Sequence, residues 1–181
     1  EALAARMIAD GAVVAGLGRN VERLDAAASR WGDAFHPVRV DLADKADRRA
    51  AIARLRERFP RVDVVVNDAA EIVYATPLDL DAAGWSSIVE TNVLAAIELV
   101  SGLAPALGPD AHVVNVSSIN ARQIPAVRFA PYALTKAALD RVTEGLRLEL
   151  ALRGVKVSLI APGLVDTPAD DRVTGFDAAR A

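Results

Sequence analysis

The sequence contains no cysteine, and only 4% of its 181 residues are aromatic. The lack of cysteine excludes a disulfide scaffold and thiolate chemistry, and it is compatible with the cytosol without proving it. No apolar run approaches the roughly 20 residues that a membrane-spanning helix needs, and the first ten residues do not resemble a signal peptide. The histidines, His36 and His112, are isolated in the sequence, so no metal site is predicted.

The charge of the chain is nearly balanced. A net charge of -3 and a pI near 5.4 argue against a nucleic-acid-binding surface. Apolar residues make up 52% of the sequence and the mean hydropathy is +0.24, so the core must consist mainly of Ala, Val and Leu. This mixture suits buried parallel strands packed by Ala-rich helices. The length predicts one domain rather than two.

Short valine-rich runs alternate with longer segments of helical periodicity along the whole chain. Gly11, Pro37, Pro60, Pro109 and Gly154 lie at the joints, where helices are expected to stop. The alternation predicts an α/β fold with a doubly wound parallel sheet. The predicted strands are 12–15, 38–40, 62–66, 112–116 and 155–160, and the predicted helical segments are 1–10, 21–31, 43–59, 81–107 and 132–153.

Each predicted strand is followed by polar residues or by a Pro-Gly pair. In a doubly wound sheet, ligands bind outside the carboxyl ends of the strands. A buried strand must end in a polar or turn residue in any protein, so a single position of this kind is weak evidence. Five such strand ends together predict a ligand site. The residues are Arg19, Asp41, Asn67 with Asp68, Ser117 with Ser118, and Pro162 with Gly163.

Tyr132 and Lys136 are four residues apart in a predicted helix. They therefore lie on one face, with their Cβ atoms about 6 Å apart. A nearby ammonium group favours the phenolate and lowers the phenol pKa from about 10, which suits acid/base chemistry. The alternative is a half-buried tyrosine beside a solvated lysine, and the short pattern by itself does not exclude it.

Seven short motifs occur in a fixed order over nearly the whole chain. With them, the sequence resembles the short-chain dehydrogenase/reductase family. The resemblance implies a Rossmann-like fold and an NAD(P)-dependent oxidoreductase that interconverts a carbonyl and an alcohol by hydride transfer. The motifs are Gly-Arg-Asn (18–20), Val-Asp-Leu (40–42), Asn-Asp-Ala-Ala (67–70), Thr-Asn-Val (91–93), Val-Asn-Val-Ser-Ser (114–118), Tyr-Ala-Leu-Thr-Lys (132–136) and Pro-Gly-Leu-Val-Asp-Thr (162–167).

Carried over to the matching positions, the resemblance implies a catalytic group of four residues: Asn92, Ser118, Tyr132 and Lys136. Tyr132 would donate a proton to a carbonyl or accept one from an alcohol. Lys136 would lower the pKa of Tyr132 and hydrogen-bond the nicotinamide ribose, and Ser118 would hold the substrate oxygen. Asn92 would hold a water that links Lys136 to solvent, or it is a helix-interior asparagine that bonds to its own backbone.

The resemblance also implies the cofactor contacts. NAD-preferring members carry an acidic residue where this chain has Gly18, and Arg19 follows it, so NADP(H) is favoured over NAD(H). The alternative for Arg19 is a solvent-exposed turn residue. The other contacts are Asp41 and Leu42 at the adenine edge, Asn67 and Ala69 at the adenine ribose, Tyr132 and Lys136 at the nicotinamide, and Pro162, Gly163, Val165 and Thr167 bordering it.

The sequence departs from the family pattern at both ends. Glu1 lies where the first helix is already under way, so the first strand and the Gly-rich turn that cradles the pyrophosphate are missing. The missing strand would lie between the strands that end at Ala15 and Val66, and its loss would leave unpaired backbone groups in the core. We therefore expect further sequence before Glu1. The last strand is also missing, and spacings within 167–181 carry little weight.

Two smaller departures fall near the proposed site. Asp68 replaces the second asparagine of the family's Asn-Asn-Ala-Gly turn. The interval from Ser118 to Tyr132 is one residue longer than the commonest family interval. The intervening loop is expected to absorb the extra residue. If it does not, Ser117 or a water takes the place of Ser118.

The substrate is weakly constrained. Arg122 and Arg128 either meet an anionic group or belong to a solvated loop face. The resemblance implies a small-molecule carbonyl or alcohol substrate and a homodimer or homotetramer. From the composition and charge we expect a cytoplasmic location and no nucleic-acid or membrane partner. Two alternative functions remain on this fold, an epimerase or dehydratase with a retained cofactor and a non-catalytic cofactor-sensing protein.

Overall fold

The computed structural model describes residues 1–123 and 127–163. The chain divides into two compact units, Glu1–Arg58 and Phe59–Ala181. Each unit contains its own parallel sheet, with order β1-β2 in the first and β3-β4-β5 in the second.

The first unit contains a two-stranded parallel sheet and helices connected by short turns. Strand pairing runs from Val14 opposite Phe35 to Gly18 opposite Arg39. The side chain of Asn20 accepts a 2.8 Å hydrogen bond from the backbone N–H of Arg23, so it caps the second helix. The elements are α1 (Ala2–Ala9), β1 (Val14–Gly18), α2 (Val21–Trp31), β2 (Phe35–Arg39) and α3 (Lys45–Arg58).

The second unit contains a three-stranded parallel sheet whose central strand is the longest. Val65, Val113 and Val157 are buried in it, as expected for a valine-rich sheet core. The elements are β3 (Val62–Asn67), α4 (Ala82–Val89), α5 (Ala95–Leu103), β4 (Leu107–Val116), α6 (Ala130–Ala151) and β5 (Lys156–Ile160).

Helix α6 ends at Ala151, two residues before the end of the predicted segment 132–153. The chain turns at Gly154, which has φ 73. Glycine adopts positive φ at less cost than residues that carry a side chain. The backbone N–H of Gly154 donates to the carbonyl of Ala151 at 3.0 Å, and that of Val155 to the carbonyl of Leu150 at 3.1 Å. These bonds satisfy two of the last carbonyls of the helix before β5 begins.

The predicted α/β fold with parallel strands and flanking helices is confirmed, and all five predicted strands are present. Two strands begin earlier than predicted, at Phe35 and Leu107, so Pro37 and Pro109 lie inside strands rather than at joints. Proline is tolerated at a sheet edge or at the start of a strand. Within the described residues, β2 pairs with β1 alone, and Pro109 lies near the start of β4.

The helical segment predicted at 81–107 is interrupted. Glu90–Leu94 forms a π-helical turn between α4 and α5, and Leu107 already belongs to β4. The backbone N–H of Ala95 bonds to the carbonyl of Glu90, five residues back. Turns of this kind are often found at functional sites. Periodicity alone does not detect a single inserted residue in a helix.

One helical stretch of the described residues, Ala82–Ala106, is long and apolar enough to cross a membrane, with a mean hydropathy of 1.4. This differs from the expectation that no such run exists. The stretch also carries Glu90 and Glu98, and 44% of its most apolar window is buried within the protein. A core helix of a soluble protein passes the same test, so the finding is weak evidence for a membrane span.

Candidate active site

Ser118, Tyr132 and Lys136 meet at the carboxyl end of β4. Ser118 is the second residue after the strand, and its hydroxyl forms a side-chain hydrogen bond with Tyr132. Tyr132 lies in the first turn of α6 and Lys136 one turn later. The Lys136 Nζ atom lies 5.7 Å from the centre of the Tyr132 ring. The extra residue in the loop between Ser118 and Tyr132 therefore does not displace Ser118.

The ammonium group of Lys136 is fixed by the strand. It donates a 2.8 Å hydrogen bond to the backbone carbonyl of Val116. Lys136 is only 2% exposed, whereas Tyr132 is half-buried. A buried lysine with one carbonyl acceptor has little freedom, so the position of its charge is set by the end of β4.

Burial dominates the electrostatics of the pair. It raises the pKa of Tyr132, with a smaller increase from the charge of Asp68, while the Ser118 hydrogen bond lowers it. Burial lowers the pKa of Lys136 to about 8, against the opposing charges of Asp68 and Asp140. The expectation that the pKa of Tyr132 falls below its usual value is therefore wrong for this structure. Removal of the phenol from water outweighs the hydrogen bond that favours the phenolate.

Asn92 is buried in the π-helical turn, with 2% of its surface exposed. Its side-chain oxygen accepts a 2.7 Å hydrogen bond from the backbone N–H of Glu71. Its side-chain nitrogen donates to the Glu71 carbonyl at 2.9 Å and to Thr135 Oγ1 at 3.0 Å. The amide therefore joins the segment after β3 to α6 next to Lys136. The alternative in which Asn92 bonds only to its own helix is wrong.

Two predicted cofactor contacts of the second unit, Asn67 and Pro162, are hydrogen-bonded to β4 and to the turn that follows it. Asn67 donates a 2.7 Å hydrogen bond to Asn115 on β4, and Asn115 donates to Thr143 on α6 at 2.8 Å. The carbonyl of Pro162 accepts a 2.9 Å hydrogen bond from the backbone N–H of Ile119, directly after Ser118. Ala69 and Gly163 are exposed. Val165 and Thr167 lie outside the described residues.

The three predicted contacts of the first unit lie at the ends of its strands. Arg19 follows β1 and is exposed, with no ion pair among the described residues. The side chain of Asp41 accepts a 3.0 Å hydrogen bond from the backbone N–H of Ala43, and the carbonyl of Leu42 accepts one of 2.6 Å from Arg48. The exposed guanidinium of Arg19 is a group that can bind a phosphate.

The two loop arginines are engaged within the protein. Arg122 donates a 2.9 Å hydrogen bond from Nε to Asp140 on α6. Arg128 lies over the ring of Tyr74, with its Cζ atom 4.9 Å from the ring centre, and its Nη2 atom donates to the Tyr74 carbonyl at 3.3 Å. Neither is merely a solvated residue of the loop face.

Sequence reasoning missed Asp140 and did not connect Asp68 with Lys136, yet both carboxylates act on Lys136. Asp140 follows Lys136 by four residues on α6 and therefore lies on the same helix face as Tyr132 and Lys136. The spacing that identified the Tyr132 and Lys136 pair was a sufficient signal for it. The sequence showed Asp68 as a polar residue at a strand end and as a departure from the family motif.

Comparison with known proteins identifies the family. The family model described as short chain dehydrogenase matches residues 1–176. The chain is 35% identical over 169 residues to serine 3-dehydrogenase of Agrobacterium fabrum and covers 68% of it. It is 30% identical over 170 residues to an uncharacterized oxidoreductase of Staphylococcus epidermidis and covers 74% of that protein. The chain belongs to the short-chain dehydrogenases, a family of oxidoreductases.

Solved structures of the family share the fold. A short-chain dehydrogenase from Burkholderia cenocepacia in complex with NADP is 31% identical, with a TM-score of 0.87, and the match covers 98% of this chain and 73% of that one. One from Sphingobium yanoikuyae in complex with NADPH is 27% identical, with a TM-score of 0.86 and coverage of 99% and 71%. One from Streptomyces avermitilis is 29% identical, with a TM-score of 0.84, and this chain spans 62% of its length.

Proposed function

We propose that the protein is an NADP(H)-dependent oxidoreductase that interconverts a carbonyl and an alcohol, with Tyr132 as the proton donor and acceptor. The observation that carries this proposal is the assembly of Ser118, Tyr132 and Lys136 at the end of β4, where the ammonium lies 5.7 Å from the phenol ring centre. The bound nicotinamide supplies or accepts the hydride.

Four side chains provide proton transfer, substrate binding and charge stabilisation in this proposal. The pKa of Tyr132 is raised by burial, so the phenol keeps its proton at neutral pH and donates it when a carbonyl is reduced. Ser118 holds the substrate oxygen and stabilises the charge that develops on it. Lys136, fixed by Val116, places a cation beside the phenolate that remains. Asn92 keeps α6 in place through Thr135, and a water bound near it links Lys136 to solvent.

The preference for NADP(H) rests on Arg19. The exposed guanidinium after β1 binds the 2′-phosphate, and Gly18 leaves that position without the carboxylate that would repel it. The matching structures in complex with NADP and NADPH support a nicotinamide cofactor. Asp41, Leu42, Asn67, Ala69, Pro162, Gly163, Val165 and Thr167 form the remaining cofactor contacts in this proposal.

The proposal treats residues 1–181 as part of one Rossmann-type nucleotide-binding domain, which the family match over residues 1–176 supports. The substrate is a small molecule with a hydroxyl or carbonyl group. The name of the Agrobacterium fabrum relative, serine 3-dehydrogenase, makes 3-hydroxy amino acids the first compounds to test. The protein acts in the cytoplasm as a homodimer or homotetramer, without a nucleic-acid or membrane partner.

The transfer of hydride is tested with NADPH that carries deuterium at the transferring position of the nicotinamide ring. The full-length protein is incubated with a panel of ketones and 3-oxo acids, and the alcohol products are analysed by mass spectrometry. The expected product carries one deuterium on the new carbinol carbon, and one NADPH is consumed for each alcohol formed.

Two other outcomes would reject the proposal. A product formed without net consumption of NADPH would indicate an epimerase or dehydratase with a retained cofactor. Tight binding of NADPH without turnover of any compound in the panel would indicate a cofactor-sensing protein.

A further inference from the structure

A buried carboxylate lies one helical turn beyond Lys136 and is held on both oxygens. Ser117 Oγ donates a hydrogen bond to Asp140 Oδ1, and Arg122 Nε donates one of 2.9 Å to Asp140 Oδ2. Ser117 is 3% exposed and Asp140 9%, so the link between them is shielded from water. The three residues Ser117, Arg122 and Asp140 are called the Asp140 cluster below.

The Asp140 cluster is attached to the proposed active site at two points. Ser117 precedes Ser118, so the hydrogen bond from Ser117 fixes the backbone from which Ser118 extends. Ser117 Oγ also lies 3.3 Å from the carbonyl oxygen of Lys136. The hydroxyl has one proton, and it donates it to the carboxylate, which is the stronger acceptor. The end of β4 and the helix α6 are thus joined beneath the proposed catalytic residues.

Spacing places the carboxylate in line with the acid/base pair. Tyr132, Lys136 and Asp140 follow each other at intervals of four on α6, which puts them on one face. A carboxylate and an ammonium on adjacent turns attract each other, and this attraction is stronger where both are buried than at a solvated surface.

We propose that Asp140 is a positioning residue for the proposed reaction. It fixes the Ser117–Ser118 backbone against α6, and its negative charge keeps Lys136 protonated beside Tyr132. Arg122 moderates this effect, because its guanidinium neutralises part of the Asp140 charge. The catalytic consequence rests on the proposed function, whereas the effect on the charge of Lys136 does not depend on any reaction.

Among the described residues, other charged and titratable groups also bear on Lys136 or on Asp140. Asp68 follows β3, Tyr132 precedes Lys136 on α6, and Arg122 lies in the turn after Ser118. Asp68 is exposed, and of the two carboxylates it has the larger effect on the pKa of Lys136. Both carboxylates raise the pKa of Lys136 against burial, which leaves it at about 8.

The protonation of Lys136 can be measured directly because the chain contains only three lysines, Lys45, Lys136 and Lys156. Lys45 and Lys156 are exposed and serve as internal controls. The protein is labelled with isotopically enriched lysine, and each side-chain signal is followed by NMR as a function of pH. Lysine-to-arginine variants assign the signals.

Two substitutions in the Asp140 cluster shift the titration of Lys136 in opposite directions. Asp140→Asn keeps the shape and an acceptor oxygen but removes the charge, so the midpoint moves to lower pH. Arg122→Gln removes the guanidinium, so the midpoint moves to higher pH. Glu144→Gln is the matched control, because Glu144 is exposed one turn further along α6 and its loss leaves the midpoint in place.

The proposal is overturned if the Lys136 midpoint in Asp140→Asn moves no more than those of Lys45 and Lys156, or moves equally in Glu144→Gln. Should Asp140→Asn fail to fold, Arg122→Gln decides the question, because Arg122 is largely exposed. An unchanged or lowered midpoint in that variant contradicts the proposal. Activity is recorded in parallel, and an inactive wild-type protein with the expected NMR shifts would reject the proposed function alone.

Discussion

The Nζ atom of Lys136 donates a 2.8 Å hydrogen bond to the backbone carbonyl of Val116, the last residue of β4. This bond fixes a buried charge at the carboxyl end of the central strand of the β3-β4-β5 sheet. It also holds the ammonium near the Tyr132 ring and restricts the rotation of the Lys136 side chain. Several measurable consequences arise from this placement and from the contacts around it.

Lys136 makes the stability of the protein depend on pH in the alkaline range. Burial lowers its pKa in the folded protein from 10.5 to about 8, so above about pH 8 the unfolded chain binds more protons than the folded one. The contribution of Lys136 to the free energy of unfolding therefore rises with pH. We expect the free energy of unfolding of the wild type, minus that of Lys136→Met, to increase by about 2 kcal/mol between about pH 8 and about pH 10.

Chemical denaturation at several pH values measures this difference, in which the contributions of groups that do not interact with Lys136 cancel. Lys156→Met is the control, because Lys156 is exposed and its removal leaves the pH dependence unchanged. A difference that stays flat or falls over this range would show that Lys136 does not titrate below its usual pKa.

Asn92 is expected to stabilise the packing of α6 on the segment after β3. Asn92→Ala removes three hydrogen bonds and leaves the backbone groups of Glu71 without these partners, at a cost of roughly 2–4 kcal/mol. Thr135→Val removes one of these bonds together with the 2.8 Å hydrogen bond that Thr135 Oγ1 donates to the Tyr132 carbonyl, and it costs about 1–2 kcal/mol. Because the two residues contact each other, the double variant loses less than the sum. Denaturant unfolding measures the three losses. A loss in the double variant that equals the sum of the two single losses would contradict this account.

Arg19 is expected to select NADPH. Arg19→Ala removes a charge-assisted hydrogen bond to the 2′-phosphate, so the dissociation constant for NADPH rises about 10- to 100-fold while that for NADH is unchanged. Isothermal titration calorimetry measures both constants. Arg23→Ala is the control, since Arg23 is exposed on α2. Equal weakening of both cofactors, or no weakening of either, would refute the assignment.

The fold was accessible from the sequence because its strands are valine-rich and its helices are separated by Gly and Pro. Residue spacing identified Tyr132 and Lys136, and the order of motifs added Ser118 and Asn92. The π-helical turn at Glu90–Leu94 was not predicted, because an inserted residue leaves the apolar pattern of the helix almost intact.

Electrostatics could not be read from the sequence for a physical reason. Spacing reports which charges are neighbours but not how much water surrounds them. The proximity of Lys136 suggested a lowered pKa for Tyr132, whereas burial of the phenol raises it. The buried hydrogen-bond chain from Asn67 through Asn115 to Thr143 was also missed, because it joins two strands and a helix that are far apart in sequence.

The central claim is that Tyr132 transfers the proton, and the most direct test separates turnover from cofactor binding. Tyr132→Phe removes only the hydroxyl, and Tyr74→Phe is the matched control at the other tyrosine of the chain. We expect Tyr132→Phe to lower kcat about 10²- to 10⁴-fold with an unchanged dissociation constant for NADPH, and Tyr74→Phe to retain activity. Wild-type turnover by Tyr132→Phe would contradict the claim.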